Sequence, residues 1–480
     1  MALSLGLVAA HTLLVLVAAV LISANRKPSA AIAWILAVIF VPVLGIIFFL
    51  LVGFGKLPAG RRAKQQQVTD AILARTEGLD WVGHRDEWPS WLPSMVTMNR
   101  NLGSLPMVGG NSAELIEDYL GSIEAMAEAI DAAEQFVHVE FFILVADSAT
   151  EPVMAALDRA CRRGVDVRVL SDHVAQFMYP HRKETLQRFA EMGAHYRPML
   201  PLQPLKGRWR RPDLRNHRKL VVVDGTVGFT GSQNLVSDHY HRKGNLKLGL
   251  HWHELMVRLT GPTVRELDAV FITDWYSETG ELLPLDTSPV RPDLDGTLLD
   301  AQILPSGPSF DNDNNLKLFA ALIQNARHRI SITSPYYVPD ETIQMALVTA
   351  GSRGLDVELF ASETGDQFMV FHAQRSYYEQ LLRAGVKIYL YRTPTILHAK
   401  HLSIDDDVAV IGSSNLDIRS LSLHMELSVL VHGAAFTTAM RAVEDDYRSK
   451  SRQVLLEDWV GRPRRDQVLD NLMRLTSALQ

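Results

Sequence analysis

One cysteine, Cys161, in 480 residues excludes an internal disulfide framework and any cysteine-based zinc finger. A single thiol fits a reducing compartment, and Cys161 reads as a small buried apolar side chain. An excess of positive charge is also missing: 48 Lys and Arg stand against 54 Asp and Glu, a formal net charge of −6. That balance excludes broad affinity for nucleic acid, whose backbone is bound chiefly by lysine and arginine, and leaves room only for local basic patches.

Formal charge of either sign is absent from two long runs, residues 1–23 and 30–52. Each is close to the ~20 residues a helix needs to cross a bilayer core. The first run lacks the basic start of a signal peptide and is followed by a second. Residues 1–57 therefore predict a pair of transmembrane helices, with Pro42 kinking the second and Trp34 near an interface. Arg26 and Lys27 between the runs are outnumbered by Lys56, Arg61, Arg62 and Lys64 after them. The larger count stays inside, which places both termini and the remaining body in the cytoplasm. The competing reading is a shallow re-entrant hairpin.

A hydrophobic content of 47% over this length fills two or three cores. Residues 58–110, rich in Gln, Trp and Pro, read as a lead-in that orders against the body. The chain then repeats itself. A helix-like stretch from Ser112 to Ala133 precedes VHVEFFI (137–143), a second helix-like segment and RRGVDVRVL (162–170). Later come RISITSPYYV (329–338), a helix-like segment and SRGLDVELF (352–360). Strand, helix, Arg-Gly turn and strand succeed one another in both, the pattern of a βαβ unit on a parallel sheet. Gly164 and Gly354 are 190 residues apart, and His217 and His398 are 181 apart, so the chain reads as a duplicated α/β domain, 111–290 and 291–480. PLDTSPVRPDLDG (284–296) is the expected linker.

NHRKLVVVDGTVGFTGSQN (216–234) and LHAKHLSIDDDVAVIGSSN (397–415) share one layout. Strand alternation sends His217 and Lys219 to one face and Arg218 and Leu220 to the other; His398 and Lys400 are likewise opposed to Ala399 and His401. Asp224-Gly225 is a hairpin signal, and Asp405, Asp406 and Asp407 fill the second turn. The return strands bring Ser232 and Asn234, or Ser413 and Asn415, back beside the imidazole and ammonium, and Gly231 and Gly412 let the backbone approach a ligand. This inventory suits a phosphodiester. Lysine and asparagine neutralise its nonbridging oxygens, and a histidine supplies a nucleophile near neutral pH without a metal. Two copies supply two roles, with one neutral histidine attacking phosphorus and a protonated one giving its proton to the departing alkoxide.

Both segments match H-x-K-x4-D-x6-G-S-x-N and resemble the doubled signature of the phospholipase D superfamily. With AWILAVIFVPVLGIIFFLLVGFGK (33–56), RNHRKLVVVDG, SPYYVPD (334–340) and SSNLDIRS (413–420), the resemblance narrows to the bacterial cardiolipin synthase family. It implies two phospholipase D-like domains with two mixed sheets flanked by helices about a pseudo-twofold, behind the N-terminal membrane pair. It implies a phosphatidyltransferase of the bacterial inner membrane that needs no cofactor or metal. Two phosphatidylglycerol molecules would give cardiolipin and glycerol through a phosphohistidine, with His217 as nucleophile and His398 as acid. The partners it implies are phosphatidylglycerol, other anionic phospholipids and the membrane, not nucleic acid.

The resemblance implies catalytic positions at His217, Lys219, Asp224, His398, Lys400 and Asp405, and substrate contacts at Ser232, Asn234, Ser413, Asn415 and Glu426. By their place at a turn, Asp224 and Asp405 are expected to bond backbone rather than move protons. Glu254 and Glu426 follow the two motifs, and the resemblance implies that either can orient a catalytic imidazole through its second nitrogen; the alternative is a solvated acid at a strand end. HWHE (251–254) reads as a strand-end cluster, since two histidines without a third ligand make no zinc site. Lys206, Arg208, Arg210, Arg211, Arg215, Arg218 and Lys219 stand against Asp213 alone, which predicts attraction of anionic lipid, with Trp209 at the interface.

Overall fold

The repeat in the sequence is a repeat of strand order. The computed structural model describes residues 2–24, 28–53, 56–75, 81–83, 85–203, 211–285, 299–310 and 313–477. The first half contributes β1 (Met107–Ile116), β2 (Phe136–Phe141), β3 (Asp166–Asp172), β4 (His195–Met199), β5 (Lys219–Val223), β6 (Val227–Gly231), β7 (His251–His253) and β8 (Met256–Thr260). The second contributes β9 (Leu299–Ser306), β10 (Arg329–Thr333), β11 (Tyr337–Val338), β12 (Asp356–Ser362), β13 (Lys387–Tyr391), β14 (Thr395–Leu397), β15 (His401–Ile404), β16 (Val408–Gly412), β17 (Leu416–Asp417), β18 (Glu426–His432) and β19 (Ser451–Val454).

Outward from β1 the order is β1-β8-β6-β5-β2-β3-β4, and outward from β9 it is β9-β18-β16-β15-β10-β12-β13, with β19 beyond. Seven strands thus follow the same order twice. β1 and β9 pair antiparallel, Met107 opposite Gln302 and Asn111 opposite Leu299. The two mixed sheets expected are therefore fused into one sheet of fifteen strands, and the pseudo-twofold runs through the β1–β9 pair. A further correction concerns Ser112–Ile116, read as helical. These residues are strand, registered from Ser112 opposite Thr260 to Ile116 opposite Met256, because pairing to β8 overrides the helix preference of Ala113-Glu114-Leu115. The helix begins only at Tyr119, where the Asp118 carboxylate accepts from Gly121 N at 3.0 Å.

The parallel pairs β2–β3 and β10–β12 form as the βαβ pattern requires. Gly164 and Gly354 end the crossover helices 151–162 and 341–352 with φ of 86° and 82°, a left-handed step open chiefly to glycine. Val137, Val139, Val167, Val169 and Val221 bury against the helices 119–131 and 151–162. Leu220, Val222, Val257 and Leu259 bury on the opposite face, against Val264, Leu267 and Phe271 of the helix 263–279. Each such side chain is worth about 1.5–3 kcal/mol of transfer energy, so both faces pin the register of the strands that carry the motifs.

At the N-terminus α1 (Ala2–Ser23) precedes α2 (Pro28–Phe40) and α3 (Pro42–Val52). The second apolar run, expected as one kinked helix, is broken at Pro42 into pieces of 13 and 11 residues, about 20 and 16 Å long. The fold-back is tight enough that a Cβ at Gly45 would lie 2.7 Å from the Ala37 carbonyl oxygen. Among the described residues no helix is long and apolar enough to cross a membrane. Trp34 packs edge-on against Phe49 at 5.5 Å, inside this small bundle. In α4 (Ala59–Arg75), Arg61 is buried and paired with Glu278 at 2.7 Å, so it serves the body and is not a free flanking charge. The lead-in is tied to β9 by Trp88 Nε1 donating to Asp300 at 2.6 Å and Asn99 Nδ2 to Gln302 at 2.9 Å. The expected linker lies outside the described residues from 286 onward.

Candidate active site

His217 and His398 stand just before β5 and β15, and the chain of each half there bonds to the other half. His217 N donates to Met425 O at 2.8 Å, and His398 N donates to His253 O at 2.8 Å. The next residues along, Glu426 and Glu254, complete the crossing. Nδ1 of His217 is 3.1 Å from both Glu426 carboxylate oxygens, and Nδ1 of His398 is 2.7 Å from Glu254 Oε1. With Nδ1 engaged, Nε2 of each ring is the nitrogen left for chemistry. Lys400 Nζ donates to His398 O at 2.6 Å, and Lys219 Nζ makes the matching bond to His217 O.

All six of these side chains are buried. Burial holds His217 far below an ordinary imidazole, at about 3, although Glu426 pulls the other way. His398 is lowered by the same cause against the pull of Glu254. Burial also brings Lys219 down to about 7 and Lys400 to about 8, and each ammonium depresses the other or the facing imidazole. Burial pushes Glu426 up, but its contacts with His217, His424 and Lys219 outweigh this and keep the carboxyl well below its usual range. Glu254 is lowered too, its burial overcome by His398 and Lys400. The resting site is thus two neutral imidazoles on two carboxylates, with two ammonium groups that lose their protons unusually easily.

The remaining signature residues face the protein. Ser232 Oγ accepts from Leu255 N at 2.9 Å, Ser413 Oγ accepts from Leu427 N at 2.9 Å, and Ser413 Oγ donates to Glu426. They brace the strands bearing the glutamates. Asn234 is engaged on both ends, Oδ1 accepting from Ile143 N at 3.1 Å and Nδ2 donating to Tyr240 at 3.1 Å. Asn415 differs, its buried Oδ1 having no hydrogen-bond partner among the described residues. Gly231 and Gly412 serve neighbouring strands and not a ligand: a Cβ there would lie 2.4 Å from Leu255 O and 2.1 Å from Leu427 O. Asp224 accepts from the backbone N–H of Glu134, Gln135 and Phe136 at 2.8–2.9 Å, and Asp405 does the same for Arg327, His328 and Arg329. Both sit just past the far ends of β5 and β15, about 23 Å along the chain from the imidazoles.

The basic stretch is also corrected. Arg218 is buried, pairs with Asp274 and donates to Glu426 O at 3.0 Å and Ser306 O at 3.2 Å. Arg215 is buried against Asp172 and Leu200 O, and Arg211 is paired with Asp213. Arg218 thus ties the first half to the second, while Arg215 and Arg211 are paired within the first half; Lys206, Arg208, Trp209 and Arg210 lie outside the described residues. In HWHE, Trp252 is buried and His251 accepts or donates to Thr395 Oγ1 at 2.9 Å, as β7 pairs with β14.

Sequence reasoning missed four neighbours. His424 lies against His217, ring centroids 5.6 Å apart, with its Nδ1 3.8 Å from Glu426 Oε1. Phe142 meets His217 at 5.1 Å, and Tyr240 and Tyr336 flank His398 at 6.2 and 6.0 Å. Tyr240 also donates to Glu254 at 2.8 Å. Its place six residues past Asn234 was the only signal. His217, His424 and Glu426 bring donor atoms within 4.8 Å, a set that can hold a metal ion.

The cardiolipin synthase, phospholipase D-like domain profile matches residues 126–275 and 319–446, which include both histidines, both lysines and both glutamates. The chain belongs to the phospholipase D-like cardiolipin synthase family. A phospholipase D-nuclease N-terminal profile matches residues 12–53. The chain is 30% identical over 467 residues to cardiolipin synthase A of Pectobacterium carotovorum, covering 95% of this chain and 94% of that one. Identity to cardiolipin synthase A of Proteus mirabilis is 29% over 462 residues, with the same coverage. The crystal structure of a phosphatidylserine synthase from Haemophilus influenzae superposes on 80% of this chain and 98% of its own, with a TM-score of 0.61 at 14% identity, a likeness of fold alone. Membership in the cardiolipin synthase family accounts for the doubled strand order and for both motifs at once.

Proposed function

We propose that this chain makes cardiolipin from two phosphatidylglycerol molecules, releasing glycerol, through a phosphohistidine on His217. The crossed His–Glu pairs carry the reading, because they equip two imidazoles for opposite roles around one phosphorus. Neutral His217 attacks the donor phosphorus through Nε2, and the bond from phosphorus to the glycerol oxygen breaks. His398 protonates that oxygen, so glycerol leaves and His398 becomes neutral. The neutral imidazole then takes the proton from the free hydroxyl of a second phosphatidylglycerol. Its oxygen attacks phosphorus, the P–N bond breaks, and cardiolipin departs. Lys219 and Lys400 neutralise the nonbridging oxygens, which gain charge in both transition states. The incoming phosphate raises the imidazole affinity for a proton, so substrate itself charges His398.

The same reading has residues 1–57 hold the chain in the bacterial inner membrane as a multi-pass pair, with residues 111–290 and 291–480 as the duplicated units on the cytoplasmic side. The break at Pro42 supports a second segment that bends within the bilayer. The test is detergent-solubilised protein supplied with labelled phosphatidylglycerol, with and without EDTA, following cardiolipin and glycerol. Equal amounts of both products, unaffected by chelation, are expected. Phosphatidic acid as the main product would make the chain a hydrolase.

A further inference from the structure

One repeated element lies outside the motifs. Gln176-Phe177-Met178 and Gln367-Phe368-Met369 are identical and 191 residues apart, close to the offset of Gly164 and Gly354. They follow the carboxyl ends of β3 and β12. Ser171 in β3 lies opposite Phe141 in β2, itself opposite Lys219, while Phe360 in β12 lies opposite Thr333, itself opposite His401. At about 4.8 Å per strand, β3 and β12 lie about 10 Å across the sheet from the strands that begin at or just after the two catalytic lysines, and the segments leave from their carboxyl ends. Gln176 is built into the fold, its Nε2 donating to Ser171 at 2.7 Å, while Gln367 is exposed at the N-cap position of the helix 368–383. The apolar pairs stay largely exposed, with local contacts from Arg182 to the Phe177 ring at 4.0 Å and from His372 to Phe368 at 4.5 Å. Phe177 is 60% exposed, Met178 63%, Phe368 64% and Met369 42%.

Two features beside them select the occupant. Arg242 bonds Asp366 at 3.1 Å, which ties the loop before Phe368 to the helix 243–248, whose exposed face carries Leu246 and Leu248 with Lys243 and Lys247. Apolar and cationic side chains together fit a surface with an acyl interior and anionic headgroups. The apolar N-terminal helices also join the body at this end. Leu57 N donates to Pro308 O at 3.4 Å, and Gly307 next to it packs against His424 O and Met425.

We propose that the two Phe-Met pairs are a twofold-related wedge that seats in the headgroup and acyl boundary of an anionic bilayer on either side of the site, so that each half receives one lipid without its leaving the membrane. This rests on the lipid substrate proposed above. The full chain, with Cys161→Ser and either Phe177→Cys or Phe368→Cys, is labelled with an environment-sensitive fluorophore and reconstituted in phosphatidylglycerol vesicles. Blue-shifted emission quenched by nitroxide-bearing lipid is expected at both positions. Water-like emission, or a blue shift that nitroxide lipid leaves unquenched, assigns the face to solvent or to a protein partner and overturns the wedge. In parallel, Phe177→Ser with Phe368→Ser should lower turnover of vesicle phosphatidylglycerol by about tenfold or more, while turnover of dissolved short-chain phosphatidylglycerol stays within about twofold. Equal loss on both substrates overturns the wedge. No turnover of either substrate by the unmodified chain defeats the synthase reading and leaves the fluorescence result to decide the wedge on its own.

Discussion

Glu426, from the second half of the chain, bonds the Nδ1 of His217, from the first, at 3.1 Å, while Glu254 of the first half bonds His398 of the second at 2.7 Å. Neither half holds a complete site. Each imidazole is held by a carboxylate from the other half, and the β1–β9 pair joins the two halves in one sheet.

Glu426→Gln and Glu254→Gln keep the shape of each pair but not its charge. Each should lower kcat by about 10²-fold or more with KM little changed, because the lost support acts on the imidazolium and on ring orientation. Steady-state kinetics on micellar phosphatidylglycerol measure this; a change confined to KM would make the glutamates substrate contacts.

Asp224→Ala and Asp405→Ala should behave differently. Each removes an acceptor from three backbone N–H groups at a strand start, expected to cost about 2–3 kcal/mol of stability. Activity per folded molecule should stay within a few-fold. Thermal unfolding and active-site titration separate the two, and a loss of turnover without a loss of stability would restore a chemical role.

Gly412→Ala tests the strand contact. Its Cβ would meet Leu427 O at 2.1 Å, a backbone atom that cannot move without shifting Glu426. The variant should unfold at markedly lower temperature, consistent with about 1–3 kcal/mol or more for overpacking. An unchanged melting temperature would show that β18 yields freely.

The pH profile follows from the buried cations. Lys219 at about 7 and Lys400 at about 8 lose their protons as pH rises, so kcat/KM of the free enzyme should fall through pH 7 to 8. Lys219→Arg should move that limb to higher pH. His217, at about 3, is already neutral and produces no acid limb near its ordinary 6.5. For stability the sign is the usual one for a depressed group. The neutral His217 contribution is present above 6.5 and is lost as pH falls toward 3, because the unfolded chain binds the proton first. A rise of kcat/KM across pH 7 to 8 would contradict the assignment.

The motifs were legible because strand alternation and an Asp-Gly turn are local: His217, Lys219 and the β5–β6 hairpin follow from five or six neighbouring residues. The crossed glutamates were not, since the pairs join residues 209 and 144 positions apart and depend on how the two halves meet. Arg215 and Arg218 read as part of a basic patch for anionic lipid for the same reason; their acids, Asp172 and Asp274, lie 43 and 56 residues away. Ser112–Ile116 misled because its composition favours helix, and only the partner strand β8 decides otherwise. His424 left no periodic or motif signal, and it became visible only through its contact with His217.

The most direct test of the account is the covalent intermediate. Labelled phosphatidylglycerol, a rapid alkaline quench that preserves P–N bonds, and peptide mapping should place the label on the peptide containing His217, with none in His217→Ala. Label on His398 instead, or turnover to cardiolipin with no labelled peptide at any time, would contradict it.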